Sequence, residues 1–445
     1  MLKRKFLGNL RLSHHKNTAD MSPVKMTSPQ EILLPMDQHI GAPATPIVKV
    51  GDEVRVGQLV AEASGAVSAP VHASVSGKVI KIEDFLSANG KIAPAIRIES
   101  DGEMTVFEGL TPHVVTDVDS LIDACRNSGI VGMGGAGFPT VAKFAALKNG
   151  NIHTVIINGA ECEPYITSDA RTMLDDADSV YEGIKLLQAV APSIKKYIIG
   201  IEANKPECIR VLSETTKDDS TVSVTSLPLL YPQGAEKIMV YNTTGVVVPA
   251  GQFPADVGIL VVNVTTLASL AKYVKTGMPL VERCVTVDGS AVANPQNIIA
   301  PIGTPVADVL NFAGGLTDTN CKVIMGGPMT GHAICSLSEP IVKTTNAIVA
   351  LPAKETLSKK MTSCIHCGRC VDVCPNSLNP TAFVKALKAE SVEEQMVMLE
   401  NANVNLCMEC GCCSYVCPAA RPFSETIRIS KNSLKEYKAH KAGLK

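Results

Sequence analysis

The sequence predicts a multidomain α/β protein made of four consecutive folded units, and three observations carry that reading. Between Ile32 and Ile98, short apolar runs alternate with glycine corners, the pattern of a small, tightly turned β-sandwich. From residue 115 to 280, strand-length apolar runs alternate with segments of helical period, as in an α/β domain. Near the C-terminus, two cysteine runs of identical spacing flank a helical segment. A chain of 445 residues has room for about three domains, each with its own core.

Composition narrows the function. Charged residues make up 19% and hydrophobic ones 46%, a globular balance, and a net charge of -2 gives no electrostatic case for nucleic acid or an acidic membrane surface. Of the fifteen cysteines, those outside the two runs are Cys125, Cys162, Cys208, Cys284, Cys321, Cys335 and Cys412. They form no disulfide framework, which fits reduced thiols in a cytoplasm. The start, Met1–Phe6, is basic but lacks the apolar core of a signal peptide. The most apolar stretch, Gly258–Val262, is far shorter than the ~20 residues of a membrane span and reads as a buried strand. Any membrane connection is expected to run through partner subunits.

Residues 1–30 show no period, contain Pro23 and Pro29, and read as an extended N-terminal arm. In residues 31–110, Pro46–Asp52, Val54–Val60, Pro70–Gly77 and Lys78–Ile82 supply the strands and turns. This unit resembles the biotinyl/lipoyl carrier β-sandwich. A carrier needs a lysine at a hairpin tip, and none lies between Val60 and Lys78, so a scaffold or docking module is expected. Residues 111–280 form the α/β domain, with helices near Leu121–Asn127, from Pro139 and at Ser179–Val190. Its strands are expected at His153–Asn158, Tyr197–Glu202 and Val257–Val264. Residues 281–350 turn β-rich, with one helix near Pro305–Ala313. Residues 351–430 hold the cysteine runs, and 431–445 form a C-terminal tail. Between the runs, Ser391–Glu394 reads as a capping box, and Phe383 with Leu387 marks an earlier helix.

The runs are Cys364-x2-Cys367-x2-Cys370-x3-Cys374-Pro375 and Cys407-x2-Cys410-x2-Cys413-x3-Cys417-Pro418. This is the bacterial ferredoxin spacing for two 4Fe-4S clusters, in which the fourth cysteine of each run ligates the other cluster. One cluster is expected on Cys364, Cys367, Cys370 and Cys417, the other on Cys407, Cys410, Cys413 and Cys374. A zinc ribbon needs only four cysteines and leaves the repeated third and fourth positions unexplained. Cys412 breaks the repeat and reads as a non-ligand.

The second chemical signal is the loop Gly132-Met133-Gly134-Gly135-Ala136-Gly137-Phe138-Pro139-Thr140. Glycines let backbone N–H groups approach a phosphate, and proline suits the first turn of the helix that follows. A Rossmann fingerprint requires a preceding strand and an acid at the end of the next one; here a helix precedes the loop and the next strand ends at Asn158. The segment Asn158-Gly159-Ala160-Glu161-Cys162-Glu163-Pro164 brings two carboxylates to a strand's carboxyl end, suited to ribose or ring N–H groups. Tyr231–Glu236 and Asn263–Thr266 add polar residues where the apolar period breaks.

These motifs, in this order, resemble the FMN- and NADH-binding motifs of the flavoprotein subunit of respiratory complex I. Over residues 10–430 the chain resembles the C subunits of Rnf electron-transport complexes more closely. It shares Gln38–Pro43, Ser68–Gly77, Ile324–Gly331 and both cysteine runs. The resemblance implies FMN held by Gly132, Gly134, Lys143, Asn158, Glu161, Gly234, Asn263 and Thr266. It implies NAD(H) near Phe138, Glu163 and Glu236, with Glu163 helping to place the hydride donor. Gly135, Gly137 and Tyr231 complete the expected cofactor-binding set. The β-rich unit resembles the soluble-ligand-binding β-grasp module. Three positions depart from the complex I pattern: Met133 stands for a basic residue, Ala160 for an acid, and Ala235 for a glutamate.

NADH gives up electrons in pairs and a cubane cluster takes them singly, so a flavin between them converts two-electron to one-electron flow. No side chain need be catalytic. The resemblance further implies a peripheral protein on the cytoplasmic side of the cell membrane, attached through the other subunits of an ion-translocating complex and reached by ferredoxin through one of them. Two alternatives use the same parts. One is a cobalamin reductase or soluble NADH dehydrogenase subunit, distinguished by its lack of membrane partners. The other is a non-enzymatic electron adaptor, distinguished by its lack of flavin.

Overall fold

Residues 10–88, 90–356 and 360–443 are described in a computed structural model; the basic start Met1–Phe6 and the end of the C-terminal tail lie outside the described residues. Two-residue alternation builds the first unit. Strands β1 (Glu31–Pro35), β2 (Gly77–Leu86) and β3 (Ile92–Ser100) form one antiparallel sheet with Glu53–Val54. A second, three-stranded sheet packs Ile32, Val60, Val71, Val79, Ile96 and Ile98 between the two. Gly77 has φ +150, and a Cβ there would lie 2.0 Å from the Glu99 carbonyl oxygen, so only glycine permits this strand crossing.

The arm is extended, as read, but it is not free. Leu10 pairs with Tyr231, and Val24–Lys25 adds a parallel strand to the sheet of the third unit, with Val24 opposite Ile298. A polar extended segment carries no period of its own, so its partners lie far along the chain and sequence pattern does not report them.

In the α/β domain, α1 (Val118–Asn127) and α2 (Thr140–Phe144) bracket the glycine loop. Four parallel strands follow: β4 (Thr154–Gly159), β5 (Lys196–Glu202), β6 (Val222–Leu227) and β7 (Ile259–Asn263). Their spatial order is β6-β5-β4-β7. The chain steps outward from β4 through β6 and then returns to β4's other side, so the sheet has a topological switch point between β4 and β7. Ligands of open α/β sheets bind outside the carboxyl ends of the strands at such a point. Helix α3 (Ser168–Asp175) follows β4, α4 (Glu236–Thr244) precedes β7, and α5 (Val264–Thr276) leaves β7 directly, capped by Asn263.

The third unit is a sheet of β8 (Glu282–Asp288), β9 (Gln296–Pro301), β10 (Cys321–Met325) and β11 (Ala347–Pro352), with two short edge strands. Helix α6 (Val306–Phe312) covers one face, burying Val309 and Leu310 against Val285, Val287 and Ile298. The fourth unit is helical. Pro380–Ala386, Val392–Asn401 and the long Phe423–Lys441 bury Phe383, Leu399, Phe423, Ile427 and Leu434, each worth roughly 1.5–3 kcal/mol of transfer free energy. Ser391 accepts from Glu394 N at 3.1 Å, so half of the expected capping box is present. Among the described residues, no helix is long and apolar enough to cross a membrane.

Candidate functional site

The cysteine runs fold as two copies of one shape. After the first cysteine of each, His366 and Glu409 take left-handed φ of 54° and 57°, and Gly368 and Gly411 take 78° and 77°. Each glycine opens a short helix, Arg369–Asp372 or Cys412–Tyr415. These turns aim a backbone amide at sulfur: His366 N lies 3.4 Å from Cys364 Sγ, and Glu409 N lies 3.3 Å from Cys407 Sγ. One cavity is lined by Cys364, Cys367, Cys370 and Cys417. Another is lined by Cys407, Cys410, Cys413 and Cys374, so each fourth cysteine sits with the opposite run. Cys412 also lines the second cavity, fully buried.

Among the described residues, no three His, Cys, Asp or Glu converge closely enough to hold a single metal ion. Each quartet shares one cavity, three cysteines from one run with the fourth of the other, as cross-ligated clusters require. The two sites differ in setting. Cys364 and Cys367 are exposed beside Ile365, which is 65% exposed. The second cavity is packed against the α/β domain. There the Tyr231 hydroxyl donates to the Cys410 carbonyl at 2.8 Å, and a Cβ on Gly411 would lie 2.6 Å from the Met329 carbonyl oxygen.

The glycine loop lies over the switch point. It closes through Gly132 N to Phe138 O at 2.8 Å and Gly137 N to Gly132 O at 3.1 Å. Met133 N donates to Thr266 Oγ1 at 2.9 Å, fastening the loop to the first turn of α5. Gly134, Gly135 and Ala136 are exposed, and their amides donate to no group among the described residues. Gly135 has φ +108 with open space where a Cβ would stand. The first and third units both support the loop: Ile40 N donates to Gly137 O at 2.9 Å, and a Cβ on Gly137 would lie 2.8 Å from the Thr344 methyl.

The other expected site residues surround this cleft, several with partners of their own. Asn158, at the end of β4, donates to Gly234 O at 2.8 Å. Asn263, at the end of β7, donates to Asp169 at 2.7 Å and caps α5 through Thr266 N at 3.0 Å. Lys143 and Glu236, read as separate contacts, form an ion pair at 2.6 Å, and Lys143 also donates to Val261 O at 2.8 Å. Phe138 is half-buried.

Both carboxylates of the Asn158–Pro164 segment, read as facing a ligand, turn inward. Glu161 takes φ +47, and its Oε1 accepts from Asp169 N at 2.6 Å at the start of α3. Its Oε2 is buried with no partner among the described residues, and burial raises the carboxyl's pKa. Glu163 accepts from Met329 N at 3.1 Å and from the Thr330 hydroxyl at 2.5 Å, tying the segment to the third unit. Burial raises its pKa as well. The cause is local for Glu161, which caps the start of α3, and tertiary for Glu163, whose donors Met329 and Thr330 belong to the third unit.

Arg283 is a buried cation at the glycine loop that the sequence reading missed. It is 2% exposed and donates to Met133 O at 3.1 Å and to Thr345 O at 3.2 Å, while its Nη1 has no partner among the described residues. A buried guanidinium thus lies directly beneath the loop in which Met133 stands for a basic residue. Its place at the start of a strand of another unit gave no local signal.

Four family models match successive stretches of the chain. Residues 4–103 match the RnfC barrel sandwich hybrid domain, 125–272 the Nuo51 FMN-binding domain, 284–333 the SLBB domain and 360–421 the 4Fe-4S dicluster domain. The chain is 39% identical over 402 residues to the C subunit of the proton-translocating ferredoxin:NAD(+) oxidoreductase complex of Clostridium ljungdahlii, covering 88% of this chain and 87% of that one. It is 42% identical over 379 residues to the C subunit of the Na(+)-translocating ferredoxin:NAD(+) oxidoreductase complex of Acetobacterium woodii, covering 84% and 85%. It is also 42% identical to the C subunit of the ion-translocating oxidoreductase complex of Pseudomonas aeruginosa, of which it covers 49%. Among solved structures, the air-oxidized NAD+-reducing [NiFe]-hydrogenase matches with TM-score 0.50 at 17% identity, over 72% of this chain and 62% of that one, a likeness of fold.

Proposed function

We propose, for a chain that belongs to the family of C subunits of ion-translocating oxidoreductase complexes, that it is the NAD(H)-facing subunit of a membrane-bound ferredoxin:NAD oxidoreductase. It passes electrons between NAD(H) and two 4Fe-4S clusters through FMN. One observation carries the reading: the second cysteine cavity abuts the domain of the nucleotide cleft, with Tyr231 bonded to the Cys410 carbonyl. A one-electron centre therefore stands beside a two-electron site within a single chain.

The residues fit both groups. Cys364, Cys367, Cys370 and Cys417 would hold one cluster, and Cys407, Cys410, Cys413 and Cys374 the other; these thiolates are the soft donors that iron–sulfur clusters require. FMN is supported by the unpartnered amides of Gly134, Gly135 and Ala136, by Arg283 beneath them, and by Asn158 and Asn263 at the strand ends. Bound FMN supplies the exchange between paired and single electrons. The chain's own residues bind and orient. The loop amides would receive a phosphate, Thr266 and Arg283 fix the loop, and Lys143 with Glu236 closes one wall near which NAD(H) is expected. Glu163 acts by anchoring its segment to Met329 and Thr330.

The partners are the other subunits of the complex, with ferredoxin reaching this chain through one of them, and the protein is peripheral on the cytoplasmic side of the membrane. The test is anaerobic reconstitution with iron, sulfide and FMN, followed by NADH under optical and EPR observation. Flavin bleaching together with reduced-cluster signals is expected. Clusters that accept electrons from dithionite but never from NADH, with FMN bound, would refute the reading.

A further inference from the structure

Lys16 lies in the polar arm, and its ammonium donates to three carbonyl oxygens of one loop: Glu161 at 2.9 Å, Glu163 at 2.8 Å and Ile166 at 2.5 Å. All three N–H donors of a lysine are thereby used on a single segment. That segment bends through left-handed residues at Glu161, φ 47, and Tyr165, φ 71, which is what turns its carbonyls toward a common point. Three carbonyl dipoles converging on one buried point repel each other unless a cation stands among them. The ammonium is that cation.

The surrounding contacts fix its position. The Thr18 and Thr167 hydroxyls share a hydrogen bond at 2.6 Å, Tyr165 N donates to His14 O at 2.9 Å, and His15 stacks on Tyr165 at 4.8 Å between ring centroids. A second buried ammonium, Lys205, donates to Ala160 O at 2.6 Å and lies 3.5 Å from Glu202. With the Glu161 carboxyl, two lysines and two glutamates are packed behind the segment that runs on from Asn158.

We infer that Lys16 is a positioning residue for the nucleotide site: an ammonium brought by the N-terminal arm holds the Glu161–Ile166 loop, and through it the Asn158–Ala160 edge of the cleft, in binding shape. The inference rests on the reading of that cleft as the FMN and NAD(H) site. Lys16 touches neither ligand; it acts through the carbonyls of the loop.

The experiment is Lys16→Met in the full chain, which keeps the stem and removes the charge. Two readouts are taken: the FMN dissociation constant of reconstituted protein, and hydrogen exchange at the Tyr165 and Asp169 amides without cofactor. The expected result is FMN binding at least tenfold weaker and exchange at least tenfold faster at those amides. Iron content and exchange in the β2–β3 hairpin should match wild type, which a general loss of stability would not leave untouched. FMN binding within twofold of wild type, or unchanged loop exchange, overturns the inference. If the methionine variant does not fold, Lys16→Ala is prepared with ethylammonium. Recovery with ethylammonium but not with tetramethylammonium, too bulky for the three-carbonyl cage, supports the inference; no recovery overturns it. Wild-type protein that bound no FMN would refute the functional reading, and loop exchange would still decide the role of Lys16.

Discussion

Replacing Tyr231 by Phe removes one oxygen at the seam between the α/β domain and the second cysteine cavity. The ring is 4% exposed, and its hydroxyl donates to the Cys410 carbonyl at 2.8 Å, with the Glu163 carboxylate 3.4 Å away. A neutral hydrogen bond contributes about 0.5–1.5 kcal/mol, and leaving the buried carbonyl unpaired raises the cost to about 1–3 kcal/mol. The ring keeps its apolar contacts with Val373 and Cys412, so no cavity cost is added. Every 1.4 kcal/mol is about a factor of ten in an opening equilibrium, so seam-open forms should rise roughly five- to hundredfold. Hydrogen exchange reads this directly at Tyr415 and Val416, whose amides close on the Gly411 and Cys412 carbonyls at 3.1 Å. Amides of the β2–β3 hairpin serve as the unchanged control. In reconstituted protein, transfer from NADH to the clusters should slow while flavin bleaching keeps its rate. Equal exchange at the seam in variant and wild type would show that the hydroxyl does not hold the two domains together.

Two further outcomes follow from the same geometry. Cys417→Ser should behave like Cys364→Ser and unlike Cys407→Ser, each losing about half of the iron, while Cys374→Ser should pair with Cys407→Ser; EPR of the remaining cluster checks it, and the reverse pairing would remove the cross-ligation. His72 is neutral in the folded chain, its pKa lowered from 6.5 to about 3 by burial and by Lys343. An unfolded histidine charges near 6.5, so below that value the unfolded state binds more protons; the contribution is full above 6.5 and is lost as pH falls toward about 3. The raised carboxyls of Glu161, Glu163 and Asp169 act with opposite sign in acid, so the test is a difference. The gap in urea stability between wild type and His72→Gln should shrink on acidification by up to about 1.4 kcal/mol per pH unit, and a gap independent of pH would refute it.

How much was legible depended on the range of each interaction. Cysteine spacing is a local property, and each quartet, with its fourth cysteine from the opposite run, lines one cavity. The strands and helices named in the α/β domain agree within a few residues because their periods are long and regular, whereas the edge strand Val222–Leu227, mixed in polarity, was not read. The orientation of Glu161 and Glu163 was not legible, since the donors that turn them inward come from α3 and from Met329 and Thr330. Lys143 and Glu236 were each recognised as site residues, yet their pairing spans 93 residues. Arg283 and Lys16 lie 150 and 145 residues from the loops they support, beyond any motif.

The arm has a consequence for how the chain is made. Its residues leave the ribosome well before their partners: the Thr18 carbonyl waits for Asn297, 279 residues later, and Val24 for Ile298. At about 5–20 residues per second, that interval is roughly a quarter of a minute to a minute. A strongly apolar segment would seek other partners during such a wait. The stretch Arg11-Leu12-Ser13-His14-His15-Lys16-Asn17-Thr18-Ala19-Asp20 is mostly polar and is content in water until its partners emerge. The arm's contacts with the third unit are therefore the last it makes, after Lys16 and Thr18 have met the Glu161–Thr167 loop, and a nascent chain released before residue 300 would lack those contacts.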